Sequence, residues 1–255
     1  MFKGGRVSAK SREELDVMVK GGKLLGEVKS ALRDAVKEGV SAVDIEELAV
    51  KLIDQKAGTP SFKAVPGYSW ATCINVNGGL VHGIPKREVV FKKGDVVSVD
   101  VGMLYQGFHT DTSFTVGLSV DGDTEKFLQA GKKALKEAIA KVRPGSRIFD
   151  ISEAIEEEIK QAGFTPIRDL VGHGIGRVLH EFPQIPCFVS GGREDSPEIP
   201  ENATLAIEVM YAKGSHQIEL GKDGWTIAMR DGKISALFEE TVSATSGGPL
   251  VLTEG

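Results

Sequence analysis

Cysteine is nearly absent from this chain: Cys73 and Cys187 are the only two in 255 residues. They are too far apart for a Cys-x-x-Cys site and too few for a disulfide framework, which fits a reducing compartment. No stretch is apolar for the length of a membrane span, and Met1 to Lys10 has charge but no apolar secretion signal. The expected location is the cytoplasm, with no membrane partner. Long lysine or arginine runs are also missing. The 31 basic residues are scattered among 36 acidic ones, for a formal charge of −5, which argues against a specific nucleic-acid partner. There is no low-complexity linker either. With 41% hydrophobic and 26% charged residues, the chain can bury a sizeable core without staples.

What the sequence does contain is a repeat. Gly94-Asp95-Val96-Val97-Ser98-Val99-Asp100-Val101 sets a carboxylate at the end of an apolar strand, and Asn202-Ala203-Thr204-Leu205-Ala206-Ile207-Glu208-Val209 does the same. Val81-His82-Gly83-Ile84-Pro85 is echoed by Leu179-His180-Glu181-Phe182-Pro183. Upstream, Val36, Gly39, Asp44, Ile45 and Glu47 recur at the same spacing as Val142, Gly145, Asp150, Ile151 and Glu153. Residues 1–255 therefore read as a single catalytic domain, with an internal pseudo-repeat of about 11–120 and 123–245. A duplication that brings an acid and a histidine from each half to one pseudo-two-fold axis suits paired metal ions.

Helical spacing predicts a long helix from Ser11 to near Gly39 and a second, capped by Ser41 or Asp44, stopped by Gly58 and Pro60. The second half repeats the pair over about Asp123 to Val142 and Phe149 to Gln161. A hairpin turn is expected at Tyr105-Gln106-Gly107, with His109 to Val116 returning as a strand, and another ribbon follows Glu208 to Val242. Each half is two helices followed by an antiparallel ribbon. The tail from Ser246 to Gly255 carries no signal.

Asp100 and Asp111 fall on the two arms of the first hairpin among Val97, Val99, Val101 and Phe114. A lone Asp at a strand end is ordinarily a capped turn or a surface acid. A buried pair, matched by Glu208 and Glu239 in the other half, is costly unless cations neutralise it. His173, in Gly172-His173-Gly174-Ile175-Gly176-Arg177, sits where glycines let backbone approach a ligand. Four carboxylates and an imidazole suit two divalent ions, Mn, Fe, Co or Zn, without choosing among them. His82 and His180 can serve instead as donors beside a scissile peptide. His109 and His216 lack such support and read as outer or rim residues.

At these residues the chain resembles the type I methionine aminopeptidases of the bacterial kind. The match runs from Cys73-Ile74-Asn75-Val76-Asn77 and Val81-His82-Gly83-Ile84-Pro85 through Ser98-Val99-Asp100-Val101-Gly102 and His109-Thr110-Asp111-Thr112-Ser113. It continues with Gly172 to Arg177, His180-Glu181, Ala206-Ile207-Glu208, Gly224-Trp225-Thr226 and Phe238-Glu239-Glu240-Thr241. The resemblance implies an α+β pita-bread fold, two pseudo-two-fold-related halves of helices around an antiparallel sheet. It implies Asp100, Asp111, His173, Glu208 and Glu239 as metal ligands, Asp111 and Glu239 bridging, Asp100 on one ion and His173 with Glu208 on the other. It further implies Glu208 as base, His82 at the scissile amide nitrogen and His180 at the oxyanion. Tyr68, Cys73 and Trp225 would form the methionine pocket, with Phe62 and Leu179 as walls. The substrates would be N-terminal methionyl peptides and nascent chains with a small second residue, met at the ribosome or free, and the enzyme a monomer.

Several positions depart from the common pattern. Glu240 stands where histidine is usual, Val209 for proline, Leu237 for glutamine, and Val65-Pro66 where tyrosine and histidine are common. Strand alternation leaves Glu240 on the face opposite Glu239. No eukaryotic-type zinc-binding extension and no type II insertion before Glu239 is found. A proline-directed peptidase, prolidase or Xaa-Pro aminopeptidase, shares fold and ligands but generally carries a preceding domain. A non-catalytic pita-bread peptide-binding protein would characteristically lose ligands.

Overall fold

In the computed structural model, which describes residues 5–255, each helix of the first pair starts at a serine that caps it. Ser11 Oγ accepts the Glu14 N–H at 3.2 Å while the Glu14 carboxylate accepts the Ser11 N–H at 2.9 Å, opening α1 (Arg12–Ala35). Ser41 and Asp44 make the same reciprocal cap for α2 (Ala42–Gln55). α1 ends four residues short of Gly39. Val36 is already extended, yet it stays buried, so the apolar stripe outlasts the helix.

A short β1 (Thr59–Pro60) leads through a 3₁₀ turn to β2 (Thr72–Val76) and β3 (Gly79–Val81). Then β4 (Val96–Tyr105) and β5 (Phe108–Gly117) form a hairpin through Gln106 and Gly107. Both turn residues have positive φ, 48° and 85°, as a two-residue type I′ turn requires. The second half runs α3 (Gly122–Ala140), α4 (Ile148–Gln161), β6 (Thr165–Pro166), β7 (Val171–Gly174), β8 (Glu181–Pro186), β9 (Thr204–Ala212), β10 (Ile218–Leu220), β11 (Ile227–Met229), β12 (Ser235–Thr245) and β13 (Gly248–Val251).

Ten strands join in one sheet ordered β1-β4-β5-β12-β9-β7-β8, with β2 also on β4, β6 on β9 and β13 on β12; β10, β11 and β3 make a second sheet. The helices of each half cover one part of the large sheet. Leu25, Leu32, Ile45 and Ile53 pack with Val97, Val99 and Met103, and Phe127, Ile151, Ile155 and Ile159 with Leu205, Ile207 and Val242. Each such side chain contributes roughly 1.5–3 kcal/mol by leaving water.

The duplication is visible in strand register. Thr59 pairs with Leu104, four residues after Asp100, and Thr165 pairs with Ala212, four after Glu208. Asn75 pairs with Ser98, two before Asp100, and His173 pairs with Ala206, two before Glu208. The repetition breaks at the second carboxylate of each half. Asp111 lies opposite Gly102, two residues past Asp100, whereas Glu239 lies directly opposite Glu208.

The halves meet where β5 faces β12, and that seam has a single registered pair, Glu239 with Ser113. Threonine hydroxyls supply much of the remaining bonding. Thr241 Oγ1 accepts the Asp111 N–H at 2.9 Å and donates to the Asp111 carbonyl at 2.8 Å. Thr112 Oγ1 donates to the Glu239 carbonyl at 2.9 Å, and Thr115 Oγ1 to that of Leu237 at 2.6 Å.

Candidate metal centre

Asp100, Asp111, His173, Glu208 and Glu239 line one cavity, together with His82, His180, Phe62, Tyr68, Cys73, Leu179 and Trp225. All twelve residues singled out in the sequence thus share it, and Val65 and Val81 join them. His109 and His216 are outside it. His109 is buried, its ring bonded to Ser61 Oγ at 2.9 Å and its N–H to the Gly176 carbonyl at 2.7 Å.

The strands explain the convergence. Asp100 on β4 and Glu208 on β9 project from mid-strand, and neighbouring β5 and β12 bring Asp111 and Glu239 to the seam. Donor atoms of Asp111, His173 and Glu239 lie within 4.8 Å of one another, and His173 Nε2 is 3.6 Å from Glu208 Oε1. Gly172 makes the last approach possible, because a Cβ there would stand 2.6 Å from the Ala206 carbonyl oxygen. The His173 Nδ1–H donates to the Gly174 carbonyl at 2.9 Å, which leaves Nε2 as an acceptor turned to the carboxylates.

Burial pushes the Asp100 carboxyl up to about 7. Burial, then the repulsion of neighbouring carboxylates, drives Asp111, Glu208 and Glu239 well above the ordinary range. His173 is held down to about 3, by burial first and by His180 second. Among the described residues no lysine or arginine lines the cavity, and Asp100 Oδ1 and Glu239 Oε1 are buried without a hydrogen-bond partner. Oxygen-rich donors, a lone-pair-bearing imidazole and two orphaned carboxylate oxygens fit divalent cations.

His82 and His180 sit at the rim of this cluster. Desolvation in the cavity lowers both from the ordinary imidazole value, and at His82 the neighbouring His180 adds to it. The His180 ring meets that of His173 edge-on, with centroids 4.5 Å apart. His82 has φ of 57°, a left-handed conformation that costs a non-glycine residue about 1–3 kcal/mol. The following Gly83 is held where a Cβ would strike the Ile74 carbonyl. Its own carbonyl accepts from Ile74 N–H at 2.8 Å and from Tyr68 OH at 3.3 Å.

The apolar wall is braced from outside. Tyr68 packs edge-on between Trp70 and Trp225, at 5.2 and 5.1 Å. Cys73 is buried, which pushes its thiol up and keeps it protonated. Asp223 binds the N–H groups of Trp225 and Thr226, the Thr226 hydroxyl, and Lys86 at 3.1 Å. Burial raises that carboxyl, but these donors outweigh it and hold it well below the usual range. Glu46 similarly gathers Ala71 N–H, Thr72 N–H and the Thr72 hydroxyl next to Cys73. Trp70, Glu46 and Asp223 carried no motif signal. The tail is a correction: Leu252 and Thr253 are buried, and β13 folds back on β12.

Comparison with known proteins matches residues 16–246 to metallopeptidase family M24. A methionine aminopeptidase of Clostridium perfringens is 38% identical, with 96% of this chain and 97% of that one covered. The crystal structure of methionine aminopeptidase from Thermotoga maritima superposes with a TM-score of 0.94 at 38% identity, covering 98% of this chain and all of that one. A prolidase from Pyrococcus furiosus shares the fold at a TM-score of 0.77 and 21% identity, this chain covering 66% of it. The pita-bread architecture, the donor set suited to divalent cations and the match along nearly the whole sequence converge: the chain belongs to metallopeptidase family M24.

Proposed function

We propose that this chain is a methionine aminopeptidase, a metallohydrolase that removes the N-terminal methionine from peptides and nascent proteins with a small second residue. The observation that carries the reading is an apolar chamber of Phe62, Tyr68, Cys73, Leu179 and Trp225 abutting four carboxylates, Asp111 and Glu239 of them buried, and His173. An unbranched thioether suits the chamber, and a free amino terminus would sit at its acidic end. The relatives named as methionine aminopeptidases support it over near-complete lengths.

Asp100, Asp111, His173, Glu208 and Glu239 would hold two divalent ions, Mn, Fe, Co or Zn. Bound there, the ions would activate a water and polarise the scissile carbonyl. Glu208 takes the proton of the attacking water on its carboxylate and passes it to the leaving amine. His82 donates towards the scissile amide nitrogen, and His180 towards the oxygen that gains charge. Tyr68, Cys73 and Trp225, with Phe62 and Leu179, exclude water from the methionine side chain. We read residues 1–255 as one catalytic domain, because a ten-stranded sheet runs through both halves. Among the described residues no helix is long and apolar enough to cross a membrane; cytoplasmic location, a monomeric state and action on chains at the ribosome complete the proposal.

The test is turnover of a panel of Met-Ala, Met-Gly, Met-Leu and Xaa-Pro peptides with metal supplied. Met-Ala and Met-Gly should be fastest. Faster cleavage of Xaa-Pro peptides would move the chain to the proline-directed reading.

A further inference from the structure

Behind the metal-facing side of β12 lies a buried ion pair that the proposed chemistry does not use. Glu240 turns away from the cavity, and its Oε1 meets Lys29 Nζ of α1 at 2.5 Å. The Lys29 side chain is only 4% exposed and that of Glu240 17%. A lysine buried in a helix is retained where it has a partner, because removing one member of such a pair strands the other charge.

The network extends from that pair to the Asp111 carboxylate and to the main chain of both Asp111 and Glu239. Glu240 Oε2 accepts from Thr253 Oγ1 at 2.5 Å, and it lies 3.3 Å from Thr112 Oγ1, competing with the Glu239 carbonyl for that hydroxyl's one proton. Thr112 Oγ1 is the same hydroxyl that lies 2.9 Å from the Glu239 carbonyl, and the Thr112 N–H donates to Asp111 Oδ1 at 3.0 Å. Thr253 Oγ1 in turn accepts the N–H of Thr241, the residue whose hydroxyl clasps both backbone groups of Asp111. Both branches from Glu240 Oε2 therefore lead to the main chain or carboxylate of Asp111 or to the main chain of Glu239, while Oε1 ties them to Lys29 on α1.

The C-terminal strap completes the arrangement. A Cβ at Gly22 would stand 2.5 Å from the Leu252 carbonyl oxygen, and one at Gly26 would strike that of Glu254, so α1 admits the strap only at its glycines. Thr253 is wholly buried, the Leu252 N–H donates to the Thr241 carbonyl at 2.8 Å, and Arg33 reaches the Gly255 carbonyl at 3.3 Å.

We propose that Lys29, Glu240 and Thr253 form a lock that positions Glu239 and Asp111 across the β5–β12 seam, making the segment that follows β13 part of the metal-holding apparatus. None of the three reaches the cavity; they are positioning residues. The seam relies on side-chain hydroxyls because its ladder holds one registered pair where an ordinary one holds several, and the lock sets two of those hydroxyl-bearing residues, Thr112 and Thr241. The inference rests on the reading of Asp111 and Glu239 as ligands given above.

The experiment titrates metal-depleted full-length protein with Co²⁺, following its visible absorption, and measures kcat and KM on a Met-Ala peptide. Thr253→Val, which removes a hydroxyl at nearly constant shape, and Lys29→Met should each weaken Co²⁺ affinity roughly tenfold. Both should alter the absorption envelope and lower kcat with KM nearly unchanged, while Thr253→Ser keeps the wild-type values. Wild-type affinity and spectrum in both Thr253→Val and Lys29→Met, whatever their melting temperatures, would overturn the lock. So would a Thr253→Ser variant as impaired as Thr253→Val, since packing of the methyl group would then be responsible. Glu239→Ala separates the two readings: if it keeps full Co²⁺ binding, the ligand assignment fails, and if it loses Co²⁺ while the lock variants do not, only the lock fails.

Discussion

Single side chains in this protein are set against their ordinary chemistry by where the strands put them, and Glu208 shows it most directly. It sits in mid-strand, half-buried, 3.6 Å from His173 Nε2 and opposite Glu239. Glu208→Gln keeps the shape and one oxygen donor but removes the proton acceptor. Turnover at saturating metal should fall about 10²–10⁴-fold, and steady-state kinetics across a metal titration will show whether added metal restores it; restoration would mean that the loss was of ligation alone. Asp223 illustrates the reverse case, a carboxyl held low. Its stabilising bonds are fully present above the unfolded value near 4 and are lost as pH falls towards the depressed folded value. Asp223→Asn should therefore melt well below wild type at pH 6–7, with the two melting curves converging as pH drops below about 4. A difference that persists unchanged to pH 3 would assign the effect to packing.

At the scale of elements, β7 and β9 are drawn together by Gly172. A methyl group there must push against the Ala206 carbonyl and the Glu208 N–H. Gly172→Ala should cost about 1–3 kcal/mol of stability and weaken metal binding, because His173 follows directly; thermal melts with and without metal will separate the two effects. Much of this level was legible in the sequence. The alternation of Val97, Val99 and Val101 and the matched runs to Asp100 and Glu208 define the strands that bear those carboxylates, and serine–acid spacings locate the helix starts. The seam was not legible, since Thr112, Thr115 and Thr241 read only as β-formers and their partners lie more than a hundred residues away. Lys29 reads as a lysine of a solvated helix face until Glu240, 211 positions on, is placed beside it. The inexact repeat was hidden as well: Asp111 and Glu239 look equivalent in the sequence, and only strand register shows them offset.

For the molecule as a whole, the two halves share one sheet and one acidic centre, so what fills the centre stabilises both. Metal bound at a thousand times its dissociation constant should add about 4 kcal/mol. The melting temperature should climb with added metal and fall on chelation, by calorimetry; a melting temperature indifferent to metal would separate the site from the stability of the fold. The hydroxyl seam has a consequence for biosynthesis. During translation the first half emerges long before β12 exists, so β5 waits as an open sheet edge. That edge is His109-Thr110-Asp111-Thr112-Ser113, a stretch of hydroxyls and charge rather than a flat apolar strand, and water satisfies it better than the backbone of another growing chain would. A carboxylate at the middle of that edge makes it a poorer template for a second chain than a flat apolar strand would be.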